Sequence, residues 1–438
     1  MNILIVGNGG REHTIAWKIY NSISFKESNS KLYCTTGNPG INKIAEAIDI
    51  KSDNIDGLLK FAKEYKIDFT IVGPEIPLSL GITDTFTING LKVFGPSKLA
   101  SEIETSKVFS KDFMARNNIP TAKYKVFGEN NFSEVENYLN NVNFPIVIKA
   151  DGLAAGKGVY IAKDISDAMG FIEDIHKNLI FGKSGLKFVI EEYLTGFEVS
   201  VFVITDGTDF KILPYAQDFK KIGNNDAGKN TGGMGSFAPA NFLVDDSTNK
   251  KIIANIIIPT LKNMKSEGRE FKGCLYCGLM IVKEDNEYQT YVIEFNCRFG
   301  DPETQSVLPL IKSDFLKLLL SSTENNIINY NLEIEDQYAL CIVAASGGYP
   351  DKHITGYNIE GLDNLDNDCL VFHSGTKYSE GQTVTNGGRV MSVVGLSDTS
   401  FEEARDIAYN NMNKIYFKDI YYRKDIGLKL IESNNITR

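Results

Sequence analysis

Over its first hundred residues the chain repeats one pattern, a short apolar run followed by a helical segment. NILIV, KLYCT, DFTIV and LKVF are separated by stretches such as DNIDGLLKFAKEY. Such alternation predicts a parallel sheet, because strands running the same way need helical crossovers. NILIV, DFTIV and LKVF pass directly into Gly7, Gly73 and Gly95, giving the turns GNGG, GPE and GPS. In an open parallel sheet these turns share the carboxyl edge, where ligands sit. Gly9, Gly10, Glu75 and Pro96 are therefore expected as neighbours on one rim, with plain tight turns as the alternative.

The opening VGNGGREH resembles a dinucleotide-binding turn, but the fingerprint Gly-x-Gly-x-x-Gly needs a glycine where this chain has Glu12. It also needs an acid after the second strand, and KLYCTT ends in threonines. What survives is a glycine turn facing the start of a helix, which suits one phosphate as well as two. Of the four histidines, dispersed and without metal spacing, only His13 beside this turn is placed to touch a ligand.

At 438 residues the chain exceeds what one core supports, so three or four domains are expected. A helical pattern, TSKVFSKDFMARNN, begins at about 104 and is closed by Asn118 and Pro120. A compact run of strands and helices continues to about 195, then a strand-rich stretch with long polar loops to about 328. The tail is strand-rich with one marked helix, opened by a capping box at Ser400 and Glu403 and carrying Ala404, Ile407 and Ala408 at helical spacing. No signal peptide or membrane span is expected, and the cytoplasm is the default compartment. Six scattered cysteines offer no disulfide framework; Cys274 and Cys277 fit Cys-x-x-Cys, but their flanks read as a buried strand. A formal charge of -10 argues against a nucleic-acid partner. It does not exclude anionic small substrates, since exposed charges are screened beyond about 8 Å.

Four segments carry chemistry. In PIVIKADGLAAGKGVYIA, Gly152, Gly156 and Gly158 lie between two apolar runs. The loop is one residue short of a Walker loop and lacks its serine or threonine. It reads as a glycine flap that closes over phosphates, with Lys149 as a point charge. In FVIEEYLTGFEVSVFVI, carbonyls near Glu191 suit an adenine amino group and Glu198 suits ribose hydroxyls, although strand-end acids are usually solvated. In YVIEFNCRFGDPETQ, Glu294, Asn296 and Arg298 share one face by the two-residue period of a strand. Glu294 and Asn296 are hard oxygen donors suited to magnesium on ATP phosphates, and Arg298 suits two-point binding of an anion; an exposed edge strand is the alternative. AQDFKKIGNNDAGKNTGGMGSFAPA, residues 216–240, reads as a long polar loop, functional or disordered, whose NTGGMG offers amides to an anion.

Taken together, VGNGGREH, IVGPE, TSKVFSKDF, VIKADGLAAGKGV, VIEEYLTGFE, NTGGMG and VIEFNCRFGDPETQ resemble the phosphoribosylamine-glycine ligases, or glycinamide ribonucleotide synthetases, of the ATP-grasp superfamily. The resemblance runs from residue 1 to RKDIG at 423–427. It implies an α/β and α+β multidomain chain with an ATP-grasp fold. An N-terminal Rossmann-like parallel-sheet domain would span 1–103, a central ATP-grasp domain 104–122 and 196–328, a flap domain 123–195, and a strand-rich C-terminal domain 329–438. The implied reaction joins glycine to 5-phosphoribosylamine through glycyl phosphate, with ATP as co-substrate and Mg2+ or Mn2+, in a monomer.

By the same resemblance Lys149, Arg298 and Asp218 are catalytic, and Glu294 and Asn296 hold the metal. Lys107, Lys149, Gly156, Lys157, Gly158, Glu191, Tyr193 and Glu198 hold ATP. Gly9, Gly10, Glu75, Asp218, Gly232, Gly233, Arg298 and Gly300 face glycine or phosphoribosylamine. Phe219 and Lys221 stand where the family commonly has His and Arg, and Lys229 where it has proline, which puts the loop's acceptor role in question. Another ATP-grasp purine-pathway ligase or carboxylase is the nearest rival. A dehydrogenase explains only the opening turn, and a nucleotide sensor would hold ATP without consuming it.

Overall fold

The computed structural model describes residues 1–153 and 158–431. The first hundred residues form the expected sheet, five parallel strands in the order Glu46–Ile48, Lys31–Thr35, Asn2–Val6, Phe69–Val72, Val93–Phe94. Ile3, Leu4, Ile5 and Val6 are all fully buried, as the central strand of a sheet covered on both faces requires.

The helix read in TSKVFSKDFMARNN is Lys107–Arg116, and a separate helix, Lys98–Thr105, precedes it. Ser106 between them is extended, and its Oγ accepts from Phe109 N at 3.0 Å, capping the second helix. Asp151 from the glycine flap accepts from Ser106 Oγ and Val108 N at 3.0 and 3.1 Å, tying the flap to that helix.

The flap is a four-stranded antiparallel sheet in the order Tyr124–Phe127, Phe188–Glu192, Ile146–Ala150, Val159–Ala162. It has its own core, including Phe127, Ile148, Ile172 and Phe188. A second antiparallel sheet follows, Phe210–Ile212, Phe197–Thr205, Gly273–Glu284, Glu287–Asn296. Cys274 and Cys277 are buried in its third strand as core thiols.

Residues 216–240, read as a long polar loop, are mostly loop but are tied down by short pairings. Gln217–Asp218 pairs with Gly235–Ala238, and a bridge joins Lys221 to Asn230. Gly235–Ala238 then pairs with Tyr338–Ser346, so this hairpin extends the sheet of the chain's last hundred residues. Its strands, of two and four residues, are too short to show a two-residue period in the sequence. In the tail, Ser400 Oγ caps the helix Phe401–Met412, but the Glu403 carboxylate turns to Ser397 Oγ, so the predicted capping box forms by half. No described helix is long and apolar enough to cross a membrane.

Candidate active site

The helix Lys107–Arg116 and the flap strand Ile146–Ala150 meet at a buried charge cluster. Glu191, on an inner flap strand, lies between Lys111 Nζ and Lys149 Nζ, each 2.9 Å from one carboxylate oxygen. All three side chains are at most 4% exposed. Lys149 Nζ also donates to Ile293 O at 2.8 Å, and Lys111 Nζ to Thr121 Oγ1 at 2.6 Å. Burial, helped by the neighbouring Lys149 charge, lowers the Lys111 pKa to about 8 against the pull of Glu191. The Glu191 carboxylate is therefore engaged by lysines; it sets where Lys149 and Lys111 stand. Lys107, one helical turn before Lys111, lines the same cleft with Glu294.

Glu294 is where the cations converge. Burial would raise its pKa, yet Lys107, Lys220, Lys149 and Arg298 together hold it at about 2. Those four charges come from a helix, a hairpin, the flap and the loop after its own strand. Among the described residues none donates a hydrogen bond to the Glu294 carboxylate, which leaves an ionised oxygen donor beside Asn296 Oδ1. That donor pair fits a hard divalent cation, which takes few protein ligands and completes its shell with phosphate and water.

Arg298 is already engaged. Its guanidinium reaches Glu104 at 2.9 Å, Glu75 at 3.3 Å and Asn296 Oδ1 at 3.3 Å, so two acids share the fork expected to clamp an anion. Glu104 also accepts from Cys297 N at 2.7 Å, fixing the turn at the strand end. Burial opposes ionisation of Glu75, but Arg298 and Arg11 outweigh it and hold the acid below its usual range.

On the hairpin, Asp218 and Lys220 share one face. Lys220 Nζ lies 2.7 Å from Glu198 and 3.1 Å from Asp218. Burial raises the Asp218 pKa to about 7, with Glu303 and Glu198 adding to it against Lys220. Beneath lie Glu303, Ser200 and Tyr276, with Ser200 Oγ 3.0 Å from Glu303 and 2.9 Å from Tyr276 OH. Phe219 points the other way, against Phe237 and Arg423, and Lys229 pairs with Asp351 at the surface. The departures Phe219 and Lys229 thus lie off the Asp218–Lys220 face.

At the opening turn, Glu12 fills the space the missing glycine would have left. Its carboxylate accepts from Gly9 N at 2.7 Å and from Arg11 Nε at 2.6 Å, and a Cβ at Gly7 or Gly73 would strike it. The Gly9 amide is thus taken, which removes one of the donors expected for a phosphate. Gly10 faces Gln305 and Ser374. His13 is turned inward: its Nδ1 accepts from His373 N at 2.8 Å and its ring packs on Phe372, so it joins two domains and does not face the rim. Gly232 and Gly233 present their carbonyls to Arg389, which also holds Asp301 at 3.0 Å; a Cβ at Gly300 would meet Glu303. Gly158 accepts from Ala150 N at 2.8 Å, Tyr193 is 44% exposed, and Gly156 and Lys157 lie outside the described residues.

Lys111, Lys220, Glu104, Glu303 and Arg389 were missed as site residues. Two carried a local signal: Lys111 is four residues from Lys107 on a helix, and Lys220 two from Asp218 on the hairpin.

The chain matches family models described as Phosphoribosylglycinamide synthetase, the N domain over residues 1–104, the ATP-grasp (A) domain over 105–304 and the C domain over 339–429. It is 46% identical over 427 residues to a phosphoribosylamine–glycine ligase of Caldanaerobacter subterraneus, covering 98% of this chain and 99% of that protein. A crystal structure of the phosphoribosylamine–glycine ligase from Thermotoga maritima superposes with a TM-score of 0.81 at 31% identity, covering 97% and 100% of the two chains. The biotin carboxylase domain of Hydrogenobacter thermophilus 2-oxoglutarate carboxylase, in complex with MgADP and bicarbonate, is similar in fold, with a TM-score of 0.72 at 15% identity over 96% of this chain and 91% of that one.

Proposed function

The chain belongs to the phosphoribosylglycinamide synthetase family and is an ATP-grasp ligase of purine biosynthesis, and from that premise we propose that it joins glycine to 5-phosphoribosylamine, giving glycinamide ribonucleotide, ADP and phosphate. The observation that carries the assignment of the site is the cleft in which Glu294 meets Lys107, Lys149 and the Lys111–Glu191–Lys149 cluster. Such a cluster suits a reaction in which phosphate charge must be gathered and moved.

A glycine carboxylate resists attack by an amine because its oxygen leaves poorly. Transfer of the γ-phosphoryl group of ATP to that oxygen makes glycyl phosphate and releases ADP. Phosphoryl transfer asks mainly for in-line positioning and charge neutralisation. Lys149 and Lys107 supply positive charge on the nucleotide side, with Lys149 fixed by Glu191 and Ile293 O. Glu294 and Asn296 would hold magnesium or manganese, which would supply positive charge to neutralise the nucleotide phosphates. The amine of phosphoribosylamine then attacks the acyl carbon, its nitrogen sheds a proton, and phosphate leaves. Asp218, with its raised pKa and its place beside Lys220, is the residue suited to take that proton. Glu75, kept ionised by Arg298 and Arg11, suits an ammonium or amine better than a phosphate. The flap excludes water, which would hydrolyse the acyl phosphate.

ADP release measured with glycine alone, with phosphoribosylamine alone and with both tests the substrate pair. Turnover is expected only with both, and glycine labelled with heavy oxygen in its carboxylate should pass label to inorganic phosphate. Turnover with bicarbonate in place of glycine would assign the clasp to a carboxylase, and unlabelled phosphate would remove the acyl phosphate.

A further inference from the structure

The motif RKDIG at 423–427 lies outside the site described above, yet Arg423 is fully buried. A guanidinium that cannot reach solvent must find partners for its donors. Here they are Asp425, gripped two-point at 2.8 and 2.7 Å, Asp226 at 3.0 Å and the carbonyl of Lys221 at 3.1 Å. Its plane lies over the Phe219 ring, 5.1 Å from the centroid. Asp226 and Lys221 belong to the tip of the hairpin that carries Asp218 and Lys220, and Phe219 stands between those two residues.

Arg423 does not act alone. Tyr421 OH donates to Ile222 O at 2.7 Å, Asn225 N to Asp425 at 2.7 Å, and Lys424 N to Asn224 Oδ1 at 3.0 Å. The segment 421–425 is thus a strap across the outer side of the hairpin. Its own footing is firm: Ile420–Tyr421 pairs with Tyr338–Ser346, and Tyr409 OH donates to Arg423 O at 2.8 Å. On the inner side Thr231 holds the Lys220 carbonyl through N and Oγ1, both at 2.8 Å. Phe219 presents its ring to Arg423, so an aromatic residue at this position belongs to the strap's grip.

We infer that Arg423 is a positioning residue: by clamping Phe219 and the hairpin tip from behind, it sets where Asp218 and Lys220 stand in the active site. The inference rests on the assignment of those two residues to the acceptor side of the site. A small misplacement of reacting groups costs up to about 10²-fold in rate, so loss of the clamp reads out in kcat although Arg423 touches no substrate.

The test uses the full-length protein and Arg423→Lys, which keeps the charge and loses the two-point grip. Amide exchange followed by mass spectrometry is expected to speed up in peptides covering 217–231 and to stay unchanged in the flap. kcat is expected to fall by about tenfold or more, with KM for ATP unchanged. A general loss of stability would move the flap and ATP binding as well. Unchanged exchange at 217–231 overturns the inference. So does faster exchange with unchanged kcat, and Lys220→Met then separates the causes: an impaired Lys220→Met leaves the acceptor assignment standing and removes Arg423 alone, whereas a fully active Lys220→Met removes the assignment too. Should Arg423→Lys fail to fold, Asp226→Asn withdraws one half-exposed partner of Arg423 and must show the same local pattern in smaller degree; its absence overturns the inference.

Discussion

Glu191→Gln replaces a carboxylate by an amide of equal size in the middle of the Lys111–Glu191–Lys149 cluster. Two ammonium groups each lie 2.9 Å from that carboxylate. At an effective dielectric of about 20, each attraction is about 6 kcal/mol before desolvation is counted. Net of that cost, removing one member of a buried ion pair typically destabilises by about 3–5 kcal/mol, a large share of a domain's stability. The charge count orders the variants. Glu191→Gln leaves two buried like charges, whereas Lys111→Met leaves a neutral pair, so the first is expected to cost more. The cost should also depend on pH. The folded-state pKa of Lys111, about 8, lies below its ordinary 10.5, so its charged form is penalised below about 8 and relieved as pH rises toward 10.5. Without Glu191 that value falls further and the relief begins at lower pH. Urea unfolding followed by circular dichroism at about pH 7 and about pH 10 measures both effects. A loss under about 1 kcal/mol for Glu191→Gln, or an equal or larger loss for Lys111→Met, would refute the reasoning.

Three further outcomes are expected. Asp218 titrates near 7 in the folded state against 3.8 ordinarily, so its contribution is fully present below about 4 and is lost as pH rises through about 7. Asp218→Asn should therefore gain stability relative to the parent across that window, by up to about 4 kcal/mol, and a flat difference would contradict the raised value. Glu294→Ala should abolish ADP release at any magnesium concentration; full activity would remove Glu294 from the metal site. Gly233, at φ +106 with the Pro302 ring where a Cβ would stand, should lose about 1–3 kcal/mol or more on mutation to Ala, read as a fall in Tm.

Much of this was written in local periodicity. The parallel sheet followed from short apolar runs that end in glycine, and the flap hairpin from two Ile- and Val-rich runs around a glycine loop. The two-residue period put Glu294 and Asn296 on one face. Applied further, the same rules would have found Lys220 from Asp218 and Lys111 from Lys107. Other features were illegible because they are long-range. Arg389 reaches Asp301, 88 residues away, and Arg423 reaches Asp226, 197 away. His13 misled because nearness in sequence to a glycine turn says nothing of which side of a helix faces the rim. Arg298 misled because its acids, Glu75 and Glu104, come from other segments. The strands that close the 216–240 loop were hidden because one of them is held by the last hundred residues.

A nucleotide is expected between the flap and the strand Glu287–Asn296, with its phosphates on Lys149 and on a metal that Glu294 would hold. A crystal structure of the protein with magnesium and a non-hydrolysable ATP analogue tests it most directly. The terminal phosphate is expected within hydrogen-bond reach of Lys149 Nζ, with the metal on Glu294. A nucleotide seated instead on the glycine turn at Gly9 and Gly10, with Lys149 and Glu294 untouched, would contradict it.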